Sequence, residues 1–531
     1  MFIDAGELPD GANIDADLCI VGAGLAGLTI AREYLGRSER VVVLEGGGAA
    51  FSRRSQALYR GETVGAPNHA TTHSRFRVYG GSGTRWTGQC VPLEAIDFER
   101  RDATPHSGWP FDLDHLQPYY RRAGEVFGFG PTDFDLEPWQ HREGTIDPIA
   151  GAELAASVIR FAHPRDLGAM LREDLASSAN VSVYLNANVV DIETDDDLGH
   201  VTSLTLASLA GQRVQCHARD YVLACGGVEN ARILLASNHI APAGLGNEHD
   251  LVGRYFMDHP YLTTGYWQPS DAAIANGLHV IDDFERVARE RGAHAVFTLP
   301  EAMRRRENLN GCVGYLIHRD AWQLDPAYFS PGGQAIVHVA ELVRGERMLD
   351  ADLRASALAL WRDARAAITT VAGYVATRRR PRRQLALRMV VEATPCADSR
   401  VTLTGRRDAF GMPRPRVNWR INESDWLGVT RFRDTLARAI ETNGLGKLLD
   451  DRGLNAEGWP VSMMGGKHHM GTTRMHADPA RGVVDPVSKV HSVANLYVAG
   501  SSVFPTCGWA NPTFTILALS IRLADHLKRA I

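Results

Sequence analysis

Gly22, Gly24 and Gly27 stand in a G-x-G-x-x-G spacing, and Glu45 follows 23 residues after the first of them. Such a set suits the capture of a dinucleotide. The first glycine permits a tight turn, the second lets backbone approach a pyrophosphate, and the third lets a helix pack closely on a strand. A helix that begins there offers unpaired N–H groups and the positive end of its dipole to the anion. A carboxylate at Glu45 can accept hydrogen bonds from a ribose diol. The glycine spacing alone is a weak signal, since a glycine-rich turn needs no ligand. Its weight comes from the flanking elements, and its N-terminal position leaves NAD and FAD both open.

Those elements are legible. Residues 17–21 (DLCIV) form a short apolar run that predicts a buried strand. LTIAREYLGR, after the glycines, has apolar residues at helical spacing, and VVVLE, 41–45, predicts a second buried strand ending on Glu45. Further on, 180–192 and 201–206 alternate as strands, and VQCHARDYVLACGG, 214–227, reads as a strand ending in a glycine turn. VENARILLASN predicts the next helix, with Glu229 and Asn230 as its caps. GRYFMDHP, 253–260, closes that block, while 75–93 and 105–145 read as loops with little period. From about 261 to 460 the composition turns more polar and arginine-rich, which predicts a second domain. It holds strand-like pieces (HAVFTL, QAIVHVAEL, RVTLTG) and helical tracts at 350–377 and 425–442. Near 463 the glycine turns return, and the chain runs through the strand NLYVAG and a turn into the helix TFTILALSIRLADHLKRAI.

The chain has 531 residues, roughly three domain-equivalents. With 44% hydrophobic and 22% charged residues it is ordinary for a globular protein, which argues against a disordered or collagen-like chain. The net charge of −5 supplies no basic field for nucleic acid. Glycine, 51 residues, is above the usual ~7% and hints at backbone pressed against a ligand. The seven cysteines are scattered without a CxxC pair, so neither a disulfide framework nor a zinc ribbon is expected, and the pattern fits a reducing, cytoplasmic compartment. The N-terminus lacks the basic and apolar regions of a signal peptide. The longest apolar tract, 366–377, is interrupted by threonine and glycine and falls short of the ~20 residues that span a bilayer. RRRPRR, 378–383, is the one dense basic run; docking to an anionic surface and a solvated loop after a helix C-terminus are both open readings.

The C-terminal segments HHMGTTRM (468–475), VVDP (483–486), NLYVAGSSVFPT (495–506) and ANPTFTI (510–516) resemble the signature of the glucose–methanol–choline (GMC) oxidoreductases, FAD-dependent alcohol oxidases and dehydrogenases. YGGSGTRWTGQ (79–89), VLACGGVENARILL (222–235), DSRVTL (398–403) and GMPRPRVNW (411–419) resemble further segments of that family, so the likeness covers nearly the whole chain. It implies an α/β (α+β) fold: a discontinuous, Rossmann-like FAD-binding domain from 1–104, 170–260 and 463–531. Connecting, substrate-side loops occupy 105–169, and an inserted substrate domain of antiparallel sheet plus helices occupies 261–462. The resemblance also resolves the cofactor as FAD.

It further implies the reactive pair. The family places a histidine three residues before the GT of its C-terminal motif, here His468, and a histidine or asparagine about forty residues later, here Asn511. Hydride passes to flavin N5 while a base removes the hydroxyl proton. Neutral imidazole suits that task. Asn511 can hold the alcohol oxygen but cannot take its proton, which leaves His468 as the base. His469 reads as a structural or pocket neighbour. A metal site at His468, His469 and His476 lacks a carboxylate or cysteine at ligand spacing. Some sugar oxidases of the family bond a histidine in a T-H-W-T loop covalently to the flavin. This chain has Arg85 there, so FAD is expected to be non-covalent, and Arg85 either lends charge to the reduced flavin or forms an ion pair in its loop. By the same likeness Gly81, Gly83, Thr84, Thr87, Val189, Gly226, Gly500, Ser501, Asn511 and Thr513 lie against the cofactor. Phe504, Cys507 and Trp509 either line the pocket or merely pack. The motif style is closest to pyranose and glycoside oxidases and bacterial sugar dehydrogenases, which implies a sugar, glycoside or aminocyclitol hydroxyl as substrate. The reoxidant is oxygen or another acceptor such as a quinone or partner protein. A non-redox lyase on the same fold is the alternative from another class.

Overall fold

The runs 17–21 and 41–45 are apolar at almost every position because both faces of their sheet are covered, the condition under which parallel strands lose alternation. The computed structural model describes residues 1–102, 104–130, 134, 153–271, 292–320, 323, 326–343, 353–379, 383–450 and 459–530. In it those runs lie at the middle of an eight-stranded sheet. The order in space is Phe2–Asp4, Val181–Leu185, Val41–Leu44, Asn13–Val21, Arg213–Leu223, Val201–Ala207 and Asn188–Thr194. The first five are parallel and the last two antiparallel. Leu496–Val498 adds in parallel beside the end of Arg213–Leu223. The helix Leu25–Glu33 packs against Thr513–Ala530, which in turn packs on Leu113–Val126. Tyr120 stacks on Phe514 with centroids 5.3 Å apart, and Arg122 bridges Glu33 and Asp525, so the three helices are tied by both apolar and ionic contacts.

The second sheet is antiparallel throughout. Its order is Gly446–Asp450, Pro260–Pro269, Arg383–Val391, Cys312–Asp320, Ala293–Thr298, Ala155–Phe161 and Gln89–Cys90. Met464–Gly465 pairs with the start of Pro260–Pro269, placing Pro260 opposite Gly465, and Met257 bridges to Met470 just beyond. These two contacts zip 257–261 against 464–470 and build one wall of the site. A third sheet sets Glu62–Gly65 parallel to Pro413–Trp419, which pairs with Arg400–Arg407.

Several expectations need correction. QAIVHVAEL is not a strand but lies in the helix Pro331–Val343. Its β-branched residues favour a strand locally, but packing against the helices Leu353–Arg362 and Ala364–Arg379 decides the outcome. Glu229 and Asn230 do not precede the helix they were expected to cap; it begins at Gly226. From inside it, Asn230 accepts the Cys225 N–H at 2.8 Å and donates to Ser502 Oγ at 2.9 Å, while Glu229 pairs with Arg75 and Arg232. Gln89–Cys90 and Ala155–Phe161, from stretches read as loops, are the last two strands of the second sheet, with Gln89–Cys90 at its edge. Residues 131–133 and 135–152 of the loop tract, and 380–382 of the arginine run, lie outside the described residues. Among the described residues no helix is long and apolar enough to cross a membrane.

Candidate active site

A cavity of about 860 Å³ opens where Asn13–Val21 and Val41–Leu44 end and reaches across to Tyr261 and Tyr315 of the second sheet. Its volume is in the range of cofactor and small-molecule sites. Gly24 is the N-cap of Leu25–Glu33 and supplies no side-chain cap, so first-turn N–H groups are left for an anion. A Cβ on Gly24 would meet nothing within 4 Å, nor would one on Gly226, and one on Gly500 would meet only Ala26 Cβ at 3.9 Å. All three glycines line the cavity. By contrast, a Cβ on Gly22 would lie 2.7 Å from the Ala224 carbonyl oxygen, and one on Gly27 only 1.9 Å from that of Gly22. The motif therefore divides its labour. Gly22, at φ +107, and Gly27 let protein pack on protein, while Gly24 keeps space open for a ligand.

Glu45 lines the same cavity. Its oxygens accept the N–H groups of Ala23 at 3.0 Å and Gly47 at 2.7 Å. Burial nonetheless raises its pKa. Each oxygen keeps a further lone pair with which to meet a ribose hydroxyl. Uncapped N–H groups, open glycine faces and a buried carboxylate together fit a dinucleotide such as FAD.

His468 and Asn511 line this cavity too. The His468 backbone N–H donates to Asp258 Oδ1 at 2.8 Å, and that of Lys467 to Oδ2 at 3.2 Å. The carboxylate thereby holds Lys467 in its left-handed conformation, φ +66. The Nδ1 atoms of His468 and His259 are 2.9 Å apart, and His259 Nε2 lies 3.0 Å from the Gly508 carbonyl oxygen. Asn511 Nδ2 donates to Gln89 Oε1 at 2.7 Å, and its Oδ1 accepts the Tyr261 hydroxyl at 3.4 Å. Among the described residues this leaves one amide N–H of Asn511 for an alcohol oxygen. Burial, aided by repulsion from His259 and His469, pushes the His468 imidazole well below its ordinary pKa. Burial also takes His259 down to about 4 and His469 to about 3, and lifts Asp258 to about 7.

The remaining expected positions divide. Gly81, Gly83, Arg85, Thr87, Val189 and Gly226 line the cavity, as do Gly500, Ser501, Thr513 and His469. Gly81 and Gly83 also seat their loop on the first glycine turn, since a Cβ on them would come within 3.0 Å of Gly24 Cα and 2.9 Å of Leu25 Cγ respectively. Thr84 turns away, its hydroxyl donating to the Gly81 carbonyl at 2.9 Å, and is absent from the lining. Arg85 is exposed, sits over the Phe76 ring at 5.7 Å, and has no ion pair among the described residues. Phe504, Cys507 and Trp509 are buried away from the cavity. Cys507 Sγ contacts the Ala393 carbonyl at 3.5 Å and Trp509 Nε1 donates to Glu94 at 3.1 Å, so these residues anchor the loop before Asn511. His476 stands apart, accepting the Asp478 N–H. Sequence reading missed Asp258, His259, Gln89 and Tyr261. The signal available was the Asp–His pair inside GRYFMDHP, which reads at first only as the end of a block.

Comparison with known proteins agrees with this geometry. Residues 17–244 match the family model for FAD dependent oxidoreductases, and 395–520 that for GMC oxidoreductases. The chain is 24% identical to the 6'''-hydroxyparomomycin C oxidase of Streptomyces lividus, over 96% of its own length and 92% of that protein's. It is also 24% identical to the 2-methyl-1,2-propanediol dehydrogenase of Mycolicibacterium austroafricanum, over 86% of its length and 82% of the relative's. Among solved structures, a formate oxidase shares the fold with a TM-score of 0.55 and 16% identity, across 98% of this chain and 99% of that one. One chain thus joins an FAD dependent oxidoreductase domain, residues 17–244, to the C-terminal domain of GMC oxidoreductases, residues 395–520.

Proposed function

We propose that the protein oxidises a hydroxyl of a sugar, glycoside or aminocyclitol to a carbonyl, with His468 as the base. The observation that carries this reading is that His468 and Asn511 share one cavity with the open faces of Gly24, Gly226 and Gly500. Gly24 and the helix N-terminus behind it hold the pyrophosphate, and Glu45 the ribose. Non-covalent FAD, when bound, supplies the two-electron acceptor. The Asn511 amide N–H holds the alcohol oxygen, and the neutral His468 ring takes the hydroxyl proton. The name of the Streptomyces lividus relative supports the substrate class. The two relatives, one an oxidase and one a dehydrogenase, support oxygen and another acceptor respectively. The seven free cysteines support a reducing, cytoplasmic location.

The test is a panel of D-glucose, a methyl glucoside, an aminocyclitol glycoside and a simple diol, added without air. At least one sugar-like member is expected to bleach the yellow band. Product formed with the band intact would overturn the redox reading. Mixing the reduced protein with air and, separately, with a quinone then identifies the acceptor by the faster return of colour.

A pH profile tests the base. An imidazole whose pKa is lowered stays neutral, and able to take a proton, where an exposed histidine is already charged. The rate of bleaching is expected to hold level as pH falls through 6.5, the ordinary imidazole value. A half-loss centred there would show that the base is an ordinary histidine.

A further inference from the structure

We propose that His259 is a positioning residue that fixes the tautomer of His468, so that Nε2 carries the lone pair that takes the hydroxyl proton. This rests on the reading of His468 as the base.

The chain of inference begins at Gly508. A carbonyl oxygen only accepts, so its 3.0 Å contact with His259 Nε2 places a proton on that nitrogen. His259 is fully buried, which favours the neutral ring, and a neutral ring carries one proton. Its Nδ1 is therefore a lone pair. That lone pair faces His468 Nδ1 at 2.9 Å, so His468 must donate there. A neutral His468 with its proton on Nδ1 has an unprotonated Nε2. The polarity is thus set in series, from a backbone carbonyl through one imidazole to the next, without an ion.

Each link is itself held. Gly508 has φ +53, and a Cβ there would lie 2.5 Å from Asp97 Oδ2, so the turn that aims its carbonyl requires glycine. Cys507 and Trp509 pin that turn on either side. The strand contact of Pro260 with Gly465 and the bridge of Met257 to Met470 hold 257–261 against 464–470. Within that clasp Asp258 grips the backbone of His468 and its neighbour His259 grips the ring. A carboxylate in the place of His259 would favour the charged form of His468, whereas a neutral imidazole orients the ring and leaves it a weak, uncharged base.

The experiment combines nitrogen-15 NMR of histidine-labelled holoenzyme with two variants, His259→Leu and His259→Asn. His468 signals are identified by their loss in His468→Ala. In the parent, His468 is expected to show a protonated Nδ1 and an unprotonated Nε2. His259→Leu removes the acceptor. It should give mixed tautomers and slow bleaching by about 10–100-fold, with FAD content and KM nearly unchanged. His259→Asn, whose Oδ1 can accept from His468 Nδ1, should recover much of the rate and the single tautomer. The probe is the panel alcohol that bleaches the parent fastest. A parent spectrum with the His468 proton on Nε2, or a parental rate in His259→Leu, would overturn the proposal; the parent spectrum decides even if that variant fails to fold. A parental rate in His468→Ala would instead remove the base reading, a result that the tautomer spectra do not mimic.

Discussion

His468→Ala is expected to remain yellow and fully loaded with FAD, yet to bleach about 10²–10⁴-fold more slowly with substrate than the parent. The variant removes the imidazole while Asp258 still holds the backbone N–H groups of 467 and 468, so the segment keeps its course. Asn511 keeps its bonds to Gln89 and Tyr261 and can still hold the alcohol oxygen. The loss therefore isolates proton removal, at about 3–5 kcal/mol of activation free energy by the usual tenfold per ~1.4 kcal/mol. The measurement is anaerobic stopped-flow bleaching alongside the ratio of flavin to protein absorbance. Equal rates in variant and parent would reject His468 as the base, and loss of the flavin would show that the ring serves binding instead.

Gly24→Val is expected to yield a folded, colourless protein. Gly24 has φ −85 and ψ −170, extended backbone that valine adopts readily, and its Cβ would meet no protein atom within 4 Å. The added side chain fills the space from which the backbone would approach a pyrophosphate. Thermal unfolding should stay close to that of parent apoprotein, since losing glycine at an N-cap costs about 1 kcal/mol or less. Gly27→Ala makes the instructive contrast: its Cβ would come within 1.9 Å of the Gly22 carbonyl oxygen, so it should damage the fold itself. A yellow, fully loaded Gly24→Val would contradict the cradle.

The parts of this site that could be read from sequence are those whose chemistry is local. The glycine turn, its strands and Glu45 fall within thirty residues, so their spacing is visible in one short stretch of chain. His468 and Asn511 were accessible through motif resemblance. His259 was not, because its partner lies 209 residues away and only strand pairing brings them together. Gln89 and Asn511, 422 residues apart, meet because the helix Thr513–Ala530 packs against the strand Gln89–Cys90. Trp509 and Cys507 could not be sorted into pocket or packing, since both readings ask for large or apolar side chains. The segment 334–342 misled because its β-branched residues obscure a helix that neighbouring helices stabilise.

The strand Leu496–Val498 and the helix Thr513–Ala530 complete the very sheet and helix layer that Asn13–Val21 and Leu25–Glu33 begin. On the ribosome these pieces emerge after every other strand of that sheet. The nascent chain must therefore carry its earliest helix without its final cover for most of translation, a long interval in which chaperones have something to hold. His468 and Asn511 flank that closing strand in sequence. The stroke that closes that sheet thus also brings in His468 and Asn511, and a polypeptide stopped short of residue 468 lacks both together.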